Sequence, residues 1–229
     1  MSDLTRVLLV GATGLVGSEV IAQGRNVPGM SLLALARREV RLPRGGRMEL
    51  MLAPVEDWPR AIATIAPDAV ICALGTTQAK AGREGLREVD CTLVLRVAEA
   101  AQRAGARQFV HLSSVGADRH AKAHYLSVKG EAEEGLRKLG FARLDILRPG
   151  LLRGQREGER RVLEGIGQVV SPVIDLFLHG SKRRYRSVKA GDLAAALLQA
   201  TRTPARGTFE HDYDAIQRLA RGFKQARSA

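Results

Sequence analysis

Tyr125 and Lys129 stand four residues apart, a spacing that puts both on one face of a helix. A phenol near its ordinary pKa of about 10 is a poor proton carrier at neutral pH. A neighbouring ammonium favours the phenolate, which brings that proton into use. A tyrosine–lysine pair at this spacing is common on helix surfaces, so order along the chain has to add weight. Here Ser113-Ser114 closes a predicted strand just upstream. A hydroxyl at that strand end can hydrogen-bond a carbonyl or alcohol oxygen beside the tyrosine. Acid–base chemistry on such an oxygen is the expectation if the three side chains converge.

A second motif lies at the start of the chain. Gly11, Gly14 and Gly17 form a GxxGxxG run immediately after an apolar strand and immediately before a helix. The first glycine permits a tight turn, the second lets backbone approach a pyrophosphate, and the third lets the helix pack against the strand. The helix N-terminus then offers free N–H groups to phosphate. Sites that prefer NAD place an acidic residue about 20 residues further on, to hold a ribose 2′-hydroxyl. This chain has Arg37-Arg38 there. A guanidinium pairs well with a 2′-phosphate, so NADP(H) is the expected cofactor. Lys129 can then also hold the nicotinamide ribose.

These groups need a scaffold that brings several strand ends to one edge. Short apolar runs alternate with helical patterns, predicting an α/β fold in which helices wrap both faces of a parallel sheet. Strands are expected at 6–10, 31–36, 47–52, 69–74, 108–112 and 144–147. Helices are expected from the glycine turn to about 23, over 86–104 closed by Gly105, over 125–139 stopped by Gly140, and over 190–201. Residues 154–161 read as a charged loop, and the stretch after Thr203 as a short terminal helix or a partly disordered tail. Trp58 is expected to pack at a helix start. No internal repeat is visible, and residues 1–229 read as one domain, with about 151–229 forming the small substrate side.

Composition narrows the setting. Hydrophobic residues make up 45% of the chain and aromatics 4%, so the core must be aliphatic. The two cysteines, Cys72 and Cys91, make no metal or disulfide pattern and read as core fillers in a reduced, cytoplasmic protein. No histidine spacing suggests a metal, and His111 reads as a strand residue. No apolar run approaches the roughly 18 residues of a membrane span. The net charge of +12 is scattered as arginines rather than gathered into a stripe, so nucleic acid is not an expected partner.

Taken together, these segments resemble the atypical short-chain dehydrogenase/reductase family across nearly the whole chain. More narrowly, they are similar to oxidoreductases related to the human HIV Tat-interacting protein. The resemblance is carried by 11–17, Arg37-Arg38, 72–82, Val89-Asp90, 111–118, 125–131 and Leu147-Arg-Pro-Gly-Leu151. It implies a Rossmann-type fold holding NADPH. Gly11, Ala12, Thr13, Gly14, Leu15 and Val16 would wrap the pyrophosphate, and Arg37 and Arg38 would take the 2′-phosphate. Leu74, Gly75 and Thr76 would pass the adenosine and ribose. Tyr125 would be the general acid/base with Lys129 its partner, and Ser114 the serine beside it, with Ser113 as fallback. Arg148, Pro149 and Gly150 would line the nicotinamide side, and Arg156 would touch cofactor or substrate. Many relatives carry asparagine in the long helix to support a proton relay, where this chain has Asp90.

The leading expectation is hydride transfer to or from a small carbonyl or alcohol substrate. A non-catalytic NADP(H) sensor or interaction protein is the alternative. A nucleotide-sugar epimerase or dehydratase is a third reading, which asks for a roomier substrate lobe. The sequence leaves oligomeric state open; a homodimer, on the pattern of many relatives, would pair the helices at 86–104 and 125–139.

Overall fold

The apolar run behind the first glycine forms β1 (Thr5–Val10), and its continuation folds back as α1 (Leu15–Gly24). Next come β2 (Met30–Ala36), β3 (Met48–Leu52), α2 (Trp58–Ile65), β4 (Ala69–Cys72), α3 (Gln78–Arg87), α4 (Leu93–Arg103) and β5 (Gln108–Leu112). The catalytic candidates follow on α5 (His124–Lys138), with β6 (Arg143–Leu147), β7 (Leu152–Arg153), β8 (Val188–Lys189), α6 (Ala190–Ala200), β9 (Gly207–His211) and α7 (Tyr213–Ser228) behind them. The computed structural model describes residues 4–43, 45, 48–153 and 178–228.

Seven strands make one sheet in the order β3-β2-β1-β4-β5-β6-β9, and every neighbouring pair is parallel. Parallel neighbours require crossover helices, which cover both faces and leave the central strands apolar on both sides. Alternation sorts the side chains accordingly. Val7 and Leu9 face the layer of α1, α6 and α7, whereas Leu8 and Val10 face α2, α4 and α5. Trp58 opens α2, buried, with its indole N–H donating to the Ala53 carbonyl at 3.1 Å.

One buried carboxylate interrupts the first of these layers. Asp145 accepts hydrogen bonds from Arg143, Gln108 and His211, the last at 2.8 Å, and so ties β5, β6 and β9 together. Burial alone would raise its pKa, but the hydrogen bonds from His211, Arg143 and Gln108 outweigh that and hold it below the ordinary carboxylate value.

Three features depart from the sequence expectation. The helix expected over 86–104 is broken by a turn of π-helix at Glu88–Thr92, which separates α3 from α4. Gly82, at φ 70°, also breaks the regular path of α3. Beyond Thr203 the terminal helix is present, at 16 residues longer than expected, and an unexpected seventh strand precedes it. Ile216, Ala220 and Phe223 of that helix are buried, and the helix packs on α6.

The parallel register brings the C-terminal ends of β1, β2, β4, β5 and β6 to one edge of the sheet. There Val10 pairs with Leu35 and Cys72, and Leu112 with Leu147. Strand order reverses at β1, between β2 and β4. A crevice at such a reversal, outside the strands' carboxyl ends, is where α/β sheets bind ligands.

Candidate functional site

The glycine turn fills that crevice because nothing larger than glycine fits. A Cβ on Gly11 would lie 2.4 Å from the Ala73 carbonyl oxygen, and Gly11 has a positive φ of 88°. A Cβ on Gly17 would lie 2.1 Å from the Gly11 oxygen, so α1 could not approach β1. The turn closes with the Gly14 N–H donating to the Gly11 carbonyl at 3.0 Å. No side chain caps α1 at Gly14. The first N–H groups of the helix, at Leu15 and Val16, are therefore left without a side-chain cap, which suits them as anion donors.

Around this turn lies a cleft of about 420 Å³. Gly11, Ala12, Thr13 and Gly14 form its floor, Arg37 and Arg38 stand at the exit of β2, and Leu74, Gly75 and Thr76 form the wall beyond β4. Lys80, Val89 and the buried Trp58 complete the lining. Both Arg37 and Arg38 are exposed, and neither has a hydrogen-bond or ion-pair partner among the described residues. A close-approach backbone, an uncapped helix end and two uncommitted guanidiniums fit the pyrophosphate and phosphate groups of a dinucleotide.

The second group of residues comes from α5. Tyr125 lies in its first turn, 38% exposed, whereas Lys129 is 3% exposed. The Lys129 ammonium sits 2.9 Å from Asp90 Oδ1 and donates to the Leu112 carbonyl at 3.1 Å. Asp90 occupies the π-turn, and its Oδ2 accepts the Thr76 N–H at 2.8 Å. A π-turn adds one residue to a helical turn and is often found at functional sites. Here it carries a carboxylate between the lysine and the cleft wall. Burial pulls the Lys129 pKa down, but Asp90, with a further contribution from Tyr125, more than reverses this and raises it. Lys129 therefore stays charged despite its burial. The same ammonium lies close behind the cleft wall, where a Cβ on Gly75 would be 3.9 Å from Nζ, although neither Lys129 nor Tyr125 lines the cleft itself. Gly130 lets the loop after β5 cross α5 closely, because a Cβ there would meet the Arg119 nitrogen at 2.2 Å.

His111 lies beneath this helix, fully buried, and neither ring nitrogen has a hydrogen-bond partner among the described residues. Burial, reinforced by Lys129, holds its pKa well below the ordinary histidine value, so the ring is neutral. Burial likewise pushes the Cys72 thiol up to about 12. Cys72 packs as a small apolar side chain.

The two serines differ. Ser113 is buried and its hydroxyl donates to Glu133 Oε1 at 2.5 Å. Ser114 makes only a long contact of 3.4 Å to the Val115 carbonyl, and it is half-buried. The structure thus leaves the Ser114 hydroxyl available and commits that of Ser113. The side chain of Arg148 is also committed, to Glu133 and Glu210. Gly150 presses against the following chain, where a Cβ would lie 2.6 Å from the Tyr185 and Arg186 carbonyl oxygens. Pro149 is tied to the serine loop through its carbonyl, which accepts the Val115 N–H at 2.9 Å. Arg156 and the loop at 154–161 lie outside the described residues. Glu133 did not stand out in the sequence, although it continues the face of Tyr125 and Lys129 by one further turn.

Sheet order, glycine turn and cleft define a dinucleotide-binding α/β protein of the Rossmann type. The chain belongs to the NAD(P)H-binding family, whose model matches residues 11–204. Among its relatives is "Protein fmp52, mitochondrial" of Emericella nidulans, 36% identical over 165 residues, covering 69% of this chain and 71% of that one. The FMP52 protein of Coccidioides immitis is 30% identical over 226 residues and covers 93% of this chain and 92% of its own. These relatives carry the Fmp52 name rather than that of the Tat-interacting protein. A putative NAD-dependent epimerase/dehydratase from Bacillus halodurans superposes with a TM-score of 0.63 at 24% identity, covering 95% of this chain and 99% of that one. Bordetella bronchiseptica WbmH in complex with NAD+ superposes with a TM-score of 0.67 at 17% identity, covering 99% and 82%. At these identities the likeness is one of fold.

The relatives correct one expectation. A cytoplasmic location was expected from cysteine usage, but these relatives are named mitochondrial proteins. Reduced thiols are compatible with either compartment, so cysteine usage had no power to separate them. Among the described residues no helix is long and apolar enough to cross a membrane.

Proposed function

We propose that this chain is an NADPH-dependent reductase of small carbonyl compounds, able to run the reverse alcohol oxidation. The observation that carries this reading is the placement of Lys129. It shares a helix face with Tyr125, is kept charged by Asp90, and lies close behind the Gly75 wall of the dinucleotide cleft. When bound, the nicotinamide supplies the hydride to the carbonyl carbon. Tyr125 gives its phenolic proton to the carbonyl oxygen as the carbon–oxygen double bond becomes single. Ser114 donates a hydrogen bond to the same oxygen, and the exposed tyrosine regains its proton from solvent. Arg37 and Arg38 take the 2′-phosphate and set the preference for NADPH over NADH. Residues from about 151 onward supply the substrate side.

The test is a screen of aliphatic and aromatic aldehydes and of ortho-quinones with NADPH and purified protein, read as loss of nicotinamide absorbance. Turnover with NADPH well above that with NADH is expected; absence of turnover on every probe refutes the reading and favours a cofactor-occupied interaction protein. A second reading draws on structural neighbours such as MoeE5, whose structure holds UDP-glucose and NAD, with a TM-score of 0.66 at 19% identity. A sugar-nucleotide epimerase would return its cofactor unchanged after each cycle. Conversion of UDP-glucose with no net nicotinamide oxidation would favour it. The superposition covers 90% of this chain and 74% of MoeE5.

A further inference from the structure

Four polar hydrogens converge on one buried carboxylate behind the serine strand end. Glu133 is 1% exposed. Its Oε1 accepts the Ser113 hydroxyl at 2.5 Å and Arg148 Nε at 2.9 Å. Its Oε2 accepts Arg148 Nη2, and Arg137 Nη2 at 3.2 Å. Both guanidiniums also reach Glu210 on β9. A carboxylate has about four lone-pair sites, so this one is fully used.

A buried ion cluster is not needed for stability alone. Well-packed apolar side chains of similar volume do as well or better, because charges lose hydration on burial. What a carboxylate adds is direction, since each oxygen fixes the donors that approach it. Three of the four donors belong to the two strand ends that border the proposed reaction site, and the fourth, from Arg137, belongs to α5 itself. Ser113 precedes the free hydroxyl of Ser114, and Arg148 precedes the Pro149-Gly150 turn. Main-chain bonds already knit those ends, from the Ser113 N–H to the Leu147 carbonyl at 2.8 Å and from the Val115 N–H to the Pro149 carbonyl at 2.9 Å. They fix β5 against β6 but not against α5. Lys129 ties α5 to the end of β5 through the Leu112 carbonyl, and Glu133 adds a grip from the same helix on both strand ends at once.

We propose that Glu133 is a positioning residue: by gripping Ser113 and Arg148 from the tyrosine's own helix, it sets where Ser114 stands relative to Tyr125. The inference rests on the reductase reading above. It accounts for the different fates of the two adjacent serines, one spent as a tether and the other left to meet substrate. It also makes Arg148 a bracing residue rather than a cofactor contact.

The experiment is a double-mutant cycle between Glu133→Gln and Ser114→Ala, using NADPH with 9,10-phenanthrenequinone or whichever carbonyl probe of the screen turns over fastest. Supporting groups behind a reacting shell are typically worth about 10–100-fold in rate. Glu133→Gln should lower kcat by about that factor while the NADPH dissociation constant stays within about twofold. In the Ser114→Ala background it should cost almost nothing more, because residues acting as a unit are not additive. Ser113→Ala removes the tether with less risk to folding and should reproduce the loss, and Ser113→Thr should restore part of it. Full turnover in Glu133→Gln and Ser113→Ala, with only the melting temperature lowered, would reduce Glu133 to a fold staple. Additive losses in the cycle would overturn the proposal as well. Failure of the wild-type chain to reduce any carbonyl probe defeats the reductase reading itself, and the positioning role falls with it.

Discussion

Lys129 and Asp90 form an ion pair of 2.9 Å in which neither side chain has appreciable contact with solvent. The pair joins α5 to the π-turn, and through the Thr76 N–H it joins both to the cleft wall. Removing one member of a buried pair leaves the other charge uncompensated, which typically costs about 3–5 kcal/mol. Asp90→Ala should therefore lower unfolding stability by about that amount. Asp90→Asn, which keeps an acceptor for Thr76, should lose less. Urea unfolding midpoints check both, and an Asp90→Ala protein as stable as wild type would contradict the role of the pair.

Acid stability should depend on Asp145. Its folded pKa is depressed below the ordinary 3.8 because His211, Arg143 and Gln108 stabilise the ionised carboxylate more than burial opposes it. A depressed folded value means the unfolded chain binds the proton more readily. The stabilisation is therefore present above about 3.8 and lost as pH falls through the lower folded value. Urea unfolding followed from about pH 5 to about pH 2 should show a stability slope that Asp145→Asn reduces. An identical slope in the variant would exclude Asp145 as a source of acid lability.

Cofactor preference should follow the two arginines at the end of β2. A hydrogen bond to a charged group is worth about 1.5–3 kcal/mol, so each lost guanidinium should weaken NADPH by roughly tenfold or more. NADH, lacking the 2′-phosphate, should be little affected by Arg37→Ala or Arg38→Ala. Titration of nicotinamide fluorescence with both cofactors gives the ratio directly. Equal effects on the two would remove the arginines from 2′-phosphate recognition.

On the proposed chemistry, Tyr125→Phe should lower turnover by about 10²–10⁴-fold, the usual worth of a positioned acid–base group. The hydroxyl is exposed and holds no hydrogen bond among the described residues, so folding and NADPH affinity should persist. Retained turnover in a well-folded Tyr125→Phe protein would send the proton transfer elsewhere.

The parts of the fold legible in the sequence are those with continuous apolar runs and sharp stops. β1, β2, β4, β5 and β6 are buried strands ended by Gly11, Arg37-Arg38, Ala73, Ser113 and Arg148, and each is visible to within two residues. β9 was not visible, because Gly-Thr-Phe-Glu-His has one large apolar residue and no alternation to mark an edge strand. The π-turn was hidden because buried positions at Leu86, Leu93, Val94 and Val97 read through it as one helix. Within the site, the glycines and the pair Tyr125–Lys129 carried their own spacing signals. Asp90 was noticed only as a departure from the relatives' asparagine; its grip on Lys129 is a contact between elements, which spacing does not encode. Glu133 looked like an ordinary solvated helix glutamate, and only the approach of β5 and β6 makes it a buried hub.

A sheet in which every neighbour is parallel contains no hairpin, so none of its pairings can form by a short local fold-back. The two longest closures are nearly equal in span, β1 with β4 at Val7 and Ala69 and the edge pairing of β6 with β9 at Arg143 and Gly207. Loop closure of that length precedes any reward from the contacts it makes, which slows assembly of this edge. The clasp between Arg148 and Glu210 completes only when that late strand arrives. During synthesis the nucleotide turn can therefore assemble once β4 has emerged, while the Glu210 part of the brace behind the serine waits for β9.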